Sequence, residues 1–208
     1  MSQFALPISF PALFSEDNFF VADCNREAHG WIMRWPNWPT HALLLYGEAG
    51  SGKSHLGHLW AARTNAAVTT STAEHLQGNA LIEQITALPE KDLLHLLNRA
   101  KENGYFLLLT SRVPPKQLPF TLPDLTSRLL ALPAVPIAPP DEAALSAALR
   151  KQFSDRQLKV EEDVIDFLLP RMERSFAAGR TLVEQLDRQA LAEQRNITIP
   201  FVKRALGY

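Results

Sequence analysis

One cysteine, Cys24, is too few for a disulfide framework, and a lone thiol fits a small packed side chain in a reducing cytoplasm. An excess of charge of either sign is also missing. Lys and Arg number 21 against 22 Asp and Glu, a formal net charge of −1. That balance excludes the broad electrostatic footprint of a nucleic-acid or anionic-membrane binder. No apolar run reaches the ~18 residues a membrane span needs. The opening MSQFALPISF lacks the basic and apolar regions of a signal peptide. Internal repeats and low-complexity tracts are missing too. These absences predict a soluble, cytoplasmic protein with no membrane partner. Its 208 residues suffice for one generous domain or two small ones.

What is present is an alternation. Residues 1–11 hold two prolines and no amphipathic period, so they read as an extended arm. Helix-like spacing follows at Ala28, Ile32 and Trp35, broken by Pro36 and Pro39. Apolar runs at 41–46, 66–70, 80–85 and 105–110 then alternate with helical stretches at 53–65 and 89–103. The second helical stretch has Pro89 near its start and Gly104 just past its end. Short apolar strands alternating with helices predict an α/β fold, a parallel sheet flanked by helices on both faces.

The composition changes at 132–140, where four prolines stand in nine positions and leave room for only a brief edge strand near Val135 to Ile137. Beyond it everything reads as helical. Asp141 is a plausible N-cap, and further helices are predicted at 144–153, 164–168 and 182–194, with a last one opening at Thr198 and Pro200. The expected organisation is an arm (1–11), an α/β core (12–138) and a small all-helical domain (139–208).

Chemistry concentrates in Gly47-Glu48-Ala49-Gly50-Ser51-Gly52-Lys53-Ser54, a complete G-x-x-x-x-G-K-[ST] P-loop. Its glycines let successive backbone N–H groups turn toward phosphate oxygens, and the following helix offers its positive end to the same anion. Lys53 supplies a point charge and the Ser54 hydroxyl a ligand for Mg²⁺; His55 follows on the same helix. The motif leaves an apolar strand and enters a helix, the context phosphate binding requires. ATP or ADP, with Mg²⁺, is the expected ligand. Glu83 in Ala-Leu-Ile-Glu-Gln-Ile is the candidate carboxylate for the metal and its waters. Gln84 stands next to it, where an ATPase of this kind usually has the acid that orients the attacking water. A neutral amide positions water but takes no proton, so weak or no intrinsic hydrolysis is expected.

Other clusters carry less. Trp31, Trp35 and Trp38 lack an accompanying basic stripe and read as packing beneath the first strand rather than as a base-stacking platform. His55 and His58 have no third ligand at useful spacing for zinc.

Five motifs together carry a resemblance: the P-loop, Leu107-Leu-Leu-Thr-Ser-Arg112, Leu122-Pro-Asp-Leu-Thr-Ser-Arg128-Leu, Ala178-Gly-Arg180-Thr-Leu and Thr198-Ile-Pro-Phe-Val-Lys203. Their order and spacing resemble the DnaA/Hda family of AAA+ proteins, from about Phe14 to the end. The resemblance implies a AAA+ core followed by a helical lid. It implies Arg128 as an arginine finger offered in trans to a neighbouring subunit's nucleotide. It implies Arg180 as the lid arginine (sensor 2) reaching this chain's own phosphates, and Thr110 and Ser111 at the sensor 1 position. DnaA has an acid beside that pair where this chain has Arg112. An adenine pocket is expected at Phe20, Val21 and Asn25.

DnaA proteins continue into a helix-turn-helix domain whereas this sequence stops at Tyr208, so no direct sequence-specific DNA binding is expected. The arm matches a clamp-binding peptide of the family: Gln3, Leu6 and Pro7 agree with it, and Phe4 and Ile8 are apolar variants. An extended arm held out of the helical state by Pro7 suits insertion of Leu6 and Ile8 into an apolar pocket. The resemblance thus implies a negative regulator of chromosome replication initiation. Its partners would be DnaA and the DNA polymerase III sliding clamp (β subunit), and it would promote hydrolysis of DnaA-bound ATP. Arginine fingers act between subunits, which also allows a homodimer. Two alternatives stay open: a clamp-binding adaptor with a structural nucleotide, and a self-sufficient AAA+ ATPase such as a helicase loader.

Overall fold

A computed structural model describes residues 19–69 and 77–207. The proposed clamp-binding residues Gln3, Phe4, Leu6, Pro7 and Ile8 lie outside them. The chain divides into two compact units. One comprises residues up to Glu48 and Lys53–Ile137, the other Ala49–Gly52 with Ala138 onward.

The first unit is built on five strands, β1 (Ala42–Tyr46), β2 (Ala67–Thr69), β3 (Ala80–Ile82), β4 (Leu107–Ser111) and β5 (Ala134–Pro136). All pair in parallel, in the order β2-β3-β4-β1-β5. Parallel neighbours need crossovers; α1 (Arg26–Met33) precedes β1, while α2 (Lys53–Thr64), α3 (Glu90–Asn103) and α4 (Pro123–Ala131) lie in connections between strands. The unbroken apolar runs follow from coverage of both faces. Leu44, Ile82, Leu107 and Leu109 face Leu93, Leu97, Leu125 and Leu129. Leu43, Leu45, Leu81 and Leu108 face Ala28, Ile32, Leu56 and Trp60 on the other side. Alternate residues of one strand thus serve two cores.

The tryptophans pack. Trp38 stacks on Trp60 with ring centroids 5.5 Å apart, its Nε1 donates to the Trp31 carbonyl at 2.7 Å, and Trp35 meets Phe106 edge-on at 6.0 Å.

The sheet departs from expectation in two places. The third strand stops at Ile82 rather than continuing to Ile85, because Gln84 adopts left-handed φ 52°, ψ 64° and a 3₁₀ turn (Ile85–Ala87) follows. The motif around Arg128 is a helix, α4, where the sequence reading named no element. Pro123 occupies its first turn, and Leu125 and Leu129 bury one face. The brief edge strand near Val135 pairs with β1, through Leu44 to Ala134 and Tyr46 to Pro136.

The second unit comprises α5 (Glu142–Asp155), α6 (Glu162–Leu168), α7 (Phe176–Glu193) and α8 (Ile199–Leu206). Side chains cap three of them. Asp141 accepts from the Ala144 N–H, Ser175 from that of Ala178 and Thr198 from that of Phe201. Leu149, Phe153, Val164, Leu168, Val183, Leu186 and Phe201 form this unit's own core. Helix α7 begins at Phe176, six residues before the expected Leu182, because Gly179 is buried within its first turns. A Cβ there would lie 3.3 Å from Met172 Cε and 3.4 Å from a Leu149 methyl, so glycine permits the close approach.

Candidate functional site

The site starts where β1 ends. The strand is buried from Ala42 to Leu45, and the chain leaves it at Tyr46 into the P-loop. The Gly47 N–H donates to the Ser111 carbonyl at 3.2 Å, anchoring the loop's first residue to the end of β4. Gly50 (φ +75°) and Gly52 (φ +103°) take backbone conformations that L side chains rarely adopt. Between them Ser51 is buried, and α2 begins at Lys53. The Lys53 ammonium donates back to the carbonyls of Gly47 at 2.8 Å and Glu48 at 2.7 Å. Burial holds this ammonium below its ordinary pKa, and the positive charge of Arg112 adds to the effect. A half-buried cation under that strain gains from an anion. Ser54, the second residue of α2, is exposed.

Glu83 immediately follows β3. Its N–H donates to the Thr69 carbonyl at 3.2 Å, and its carboxylate Oε2 stands 3.7 Å from His58 Nε2 of α2. Among the described residues no three His, Cys, Asp or Glu side chains gather as a metal-binding group. One carboxylate with one hydroxyl is nonetheless a donor set Mg²⁺ accepts, since that ion keeps most of its waters and takes oxygen from phosphates. Ser54 and Glu83 fit that role.

Gln84 N–H donates to Thr110 Oγ1 at 3.0 Å, and the Gln84 carbonyl accepts from Ala87 N–H at 2.8 Å. The Thr110 hydroxyl thereby ties β4 to the turn after β3. Ser111 Oγ accepts from the Val113 N–H at 3.1 Å, and both residues are buried. Each proposed sensor 1 hydroxyl therefore already accepts one backbone donor.

Around the stretch before α1, Asn25 is buried and its amide serves its own turn: Oδ1 accepts from Ala22 N–H and Nδ2 donates to the Phe20 carbonyl, both at 2.9 Å. Val21 is 41% exposed. The sequence reading passed over Phe19. Its ring stacks on His29 at 5.7 Å and meets His55 of the P-loop helix at 5.1 Å. The signal was an aromatic one residue from the chosen pair.

Arg128 sits in the last turn of α4, its Nε 3.0 Å from Asp124 Oδ1 one turn earlier, with both side chains substantially exposed. It also lines a cavity of about 300 Å³ together with His41, Lys101 and Ala131.

In the helical unit, Arg180 occupies the second turn of α7 and is half-buried. Burial lowers its pKa from the ordinary guanidinium value, Glu184 acts to raise it, and Arg156 lowers it further. The loop tip belongs with this unit. A cavity of about 660 Å³ there is lined by Gly50, Met172, Glu173, Ser175, Ala178 and Thr181.

The family model described as "Hda, lid domain" matches residues 141–206. Domain III of the Thermotoga maritima replication initiation protein DnaA superposes with a TM-score of 0.77 at 17% identity, covering 97% of this chain and 98% of that one. AMPPCP-bound DnaA from Aquifex aeolicus gives 0.69 at 19% identity, over 88% of this chain and 70% of the other. RuvB, a Holliday junction branch migration motor of Thermotoga maritima, gives 0.70 at 19%, over 96% and 73%. At these identities the likenesses establish the fold: a parallel sheet flanked by helices with a helical region after it, the AAA+ arrangement. The chain thus combines a AAA+ arrangement like that of these proteins with a helical segment, residues 141–206, similar to the lid domain of Hda.

Proposed function

We propose that the chain holds a nucleoside di- or triphosphate on its P-loop and acts as a negative regulator of replication initiation. The observation that carries the first half is the loop itself. Gly50 and Gly52 are left-handed, α2 starts at Lys53, and the half-buried Lys53 ammonium feels a second cation, Arg112. The backbone N–H groups and Lys53 bind phosphate oxygens, while Ser54 and Glu83 hold Mg²⁺, with His58 orienting the carboxylate. When bound, Mg²⁺ would supply charge neutralisation to the nucleotide's phosphates. Arg180 supplies a further cation to the same nucleotide.

Gln84 supports a ligand that is kept rather than consumed. It brings an amide where hydrolysis wants an acid, on backbone turned out of the strand direction. The working chemistry then falls on a partner. The Hda-type lid and the DnaA-like core support DnaA as that partner. Arg128, partly exposed on α4 and paired with Asp124 at i,i+4, is the cation to complete the charge around DnaA's γ-phosphate. A surface pair of this kind is worth about 0.3–0.5 kcal/mol, small beside what a transition-state phosphate offers, so Asp124 releases it readily. Gln3 to Ile8 bring the protein to the sliding clamp.

The test follows labelled ATP pre-bound to DnaA, with DNA-loaded clamp present. Wild type should accelerate conversion to ADP. Arg128→Ala should lose that stimulation by roughly 10³-fold, the lower range for an arginine finger, while still binding clamp. Gln3→Ala should lose clamp binding and stimulation together. Stimulation that survives Arg128→Ala removes the finger. No stimulation by wild type, with clamp bound, leaves an adaptor whose nucleotide is structural.

A further inference from the structure

The strands of the α/β unit are parallel, so the segments that lead into them all arrive at one edge of the sheet. His41 stands directly before β1. Lys101 lies in the last turn of α3, the helix ahead of β4, and Arg128 in the last turn of α4, the helix ahead of β5. Strand β1 runs between β4 and β5, and the Leu107 N–H of β4 donates to the His41 carbonyl at 2.8 Å. The topology therefore gathers the three basic residues at the same edge. They line one cavity of about 300 Å³, whose walls include Thr40, Leu97 and Leu132. Among the described residues no acidic side chain lines it.

Each of the three can serve an anion. Arg128 gives its Nε to Asp124 Oδ1 at 3.0 Å, which uses one of the five N–H donors of a guanidinium. Lys101 is exposed. His41 Nδ1 lies 3.1 Å from the Tyr105 carbonyl, an oxygen that only accepts, so Nδ1 carries a hydrogen and Nε2 is the remaining polar atom of the ring. Basic residues are favoured in the last turn of any helix by its dipole. That accounts for Lys101 and Arg128 one at a time. It does not account for their convergence, with a histidine, on a cavity that no acid lines.

The chain's own nucleotide is out of reach. The P-loop leaves β1 at the opposite end, after Tyr46. Five residues at about 3.3 Å each put roughly 16 Å between the two edges. An anion in the cavity therefore comes from outside the chain. A guanidinium fork, an ammonium and an imidazole together suit consecutive phosphoryl groups, whereas one fork already satisfies a single carboxylate.

We propose that His41 and Lys101 complete, with Arg128, a second anion pocket that takes the polyphosphate of a nucleotide from outside the chain. That a partner holds this nucleotide rests on the reading of Arg128 given above; that the pocket takes polyphosphate does not.

The first arm of the test needs no partner. The full chain is saturated with labelled ADP, Mg²⁺ in excess, and titrated with inorganic tripolyphosphate while the ring resonances of His41 are followed by NMR. They should shift saturably with ADP retained. Lys101→Gln should weaken that titration about fivefold, the scale of one exposed charge pair, and Lys101→Arg should recover most of it. A lysine that only settles the end of α3 would instead lower the melting temperature in Lys101→Gln and leave the titration unmoved, which overturns the pocket. So does the absence of a shift at His41, or a shift that appears only as ADP leaves the P-loop.

The second arm is the labelled-ATP assay above, run against the concentration of this chain. Lys101→Gln should raise the half-saturating concentration about fivefold, whereas Arg128→Ala should lower the maximal rate. Tripolyphosphate binding at His41 with an unchanged half-saturation makes dissolved polyphosphate the source and overturns the partner-held one. If wild type does not stimulate, the reading of Arg128 fails, and the titration decides the pocket by itself.

Discussion

At the scale of single residues, long-range polar links decide details that spacing in the sequence does not carry. Glu90, the first residue of α3, accepts from the N–H groups of Thr121 and Leu122 and from the Thr121 hydroxyl, 31 and 32 positions away. It thereby pins the residues that enter α4, the helix of Arg128. The backbone donors of Thr121 and Leu122, the largest influence, hold the Glu90 carboxyl below its ordinary value of 4.5. The sign follows directly. A depressed folded pKa means the carboxylate adds stability above about pH 4.5, and the gain is lost as pH falls through the lower folded value. Amide exchange at Thr121 and Leu122 should therefore be protected near neutrality and accelerate selectively in acid. In Glu90→Gln the same amides should be less protected at pH 7 and insensitive to acid. Equal protection in both proteins at pH 7 would remove the clasp. Gln84 shows the same limit on reading. Its amide was legible as a departure from hydrolytic chemistry, but its left-handed backbone and its link to Thr110 depend on a strand 26 residues away.

Whole elements were legible where a local signal and a buried face coincide. The run at 41–46, the P-loop and helix α2 form one continuous statement in the sequence, and Gly104, αL with φ 72° and its N–H on the Ala100 carbonyl, ends α3 as its position implies. Asp141 and Thr198 cap α5 and α8 from the expected places. Helix α4 escaped because its nine residues between proline-bearing loops show only two buried leucines. The first turns of α7 escaped because Ala-Ala-Gly reads as a turn until its packing against Met172 and Leu149 is known. Glycine within α2 gives a sharper case. In an exposed helix, Gly→Ala gains about 1 kcal/mol. At Gly57, however, a Cβ would lie 2.8 Å from Leu81 Cδ1, and Leu81 is fully buried in β3. Overpacking of a core costs roughly 1–3 kcal/mol, which outweighs the propensity. Gly57→Ala should lower the urea midpoint, and Leu81→Val in the same chain should return part of the loss. A Gly57→Ala protein more stable than wild type would mean the sheet yields to the helix at little cost.

Across the whole molecule, each of the two units has its own hydrophobic core. Lys53 and Glu83, proposed to hold the phosphates and Mg²⁺, belong to the first unit. A ligand bound there should stabilise that unit. At 100 times its dissociation constant, ADP should add about 2.7 kcal/mol. For a chain of this length that is a rise in melting temperature of roughly 5–10 °C. The four tryptophans, Trp31, Trp35, Trp38 and Trp60, all lie in the first unit. Tryptophan fluorescence therefore follows the α/β unit, whereas far-UV circular dichroism also follows the helices of the second. With ADP and Mg²⁺ the two probes should shift upward together in the wild type. Lys53→Ala should lose the shift in both. Arg180→Ala should keep most of the fluorescence shift while the circular dichroism trace gains an earlier, ligand-insensitive step from the helical unit. Coincident shifts in Arg180→Ala would mean that the nucleotide is held without the lid arginine.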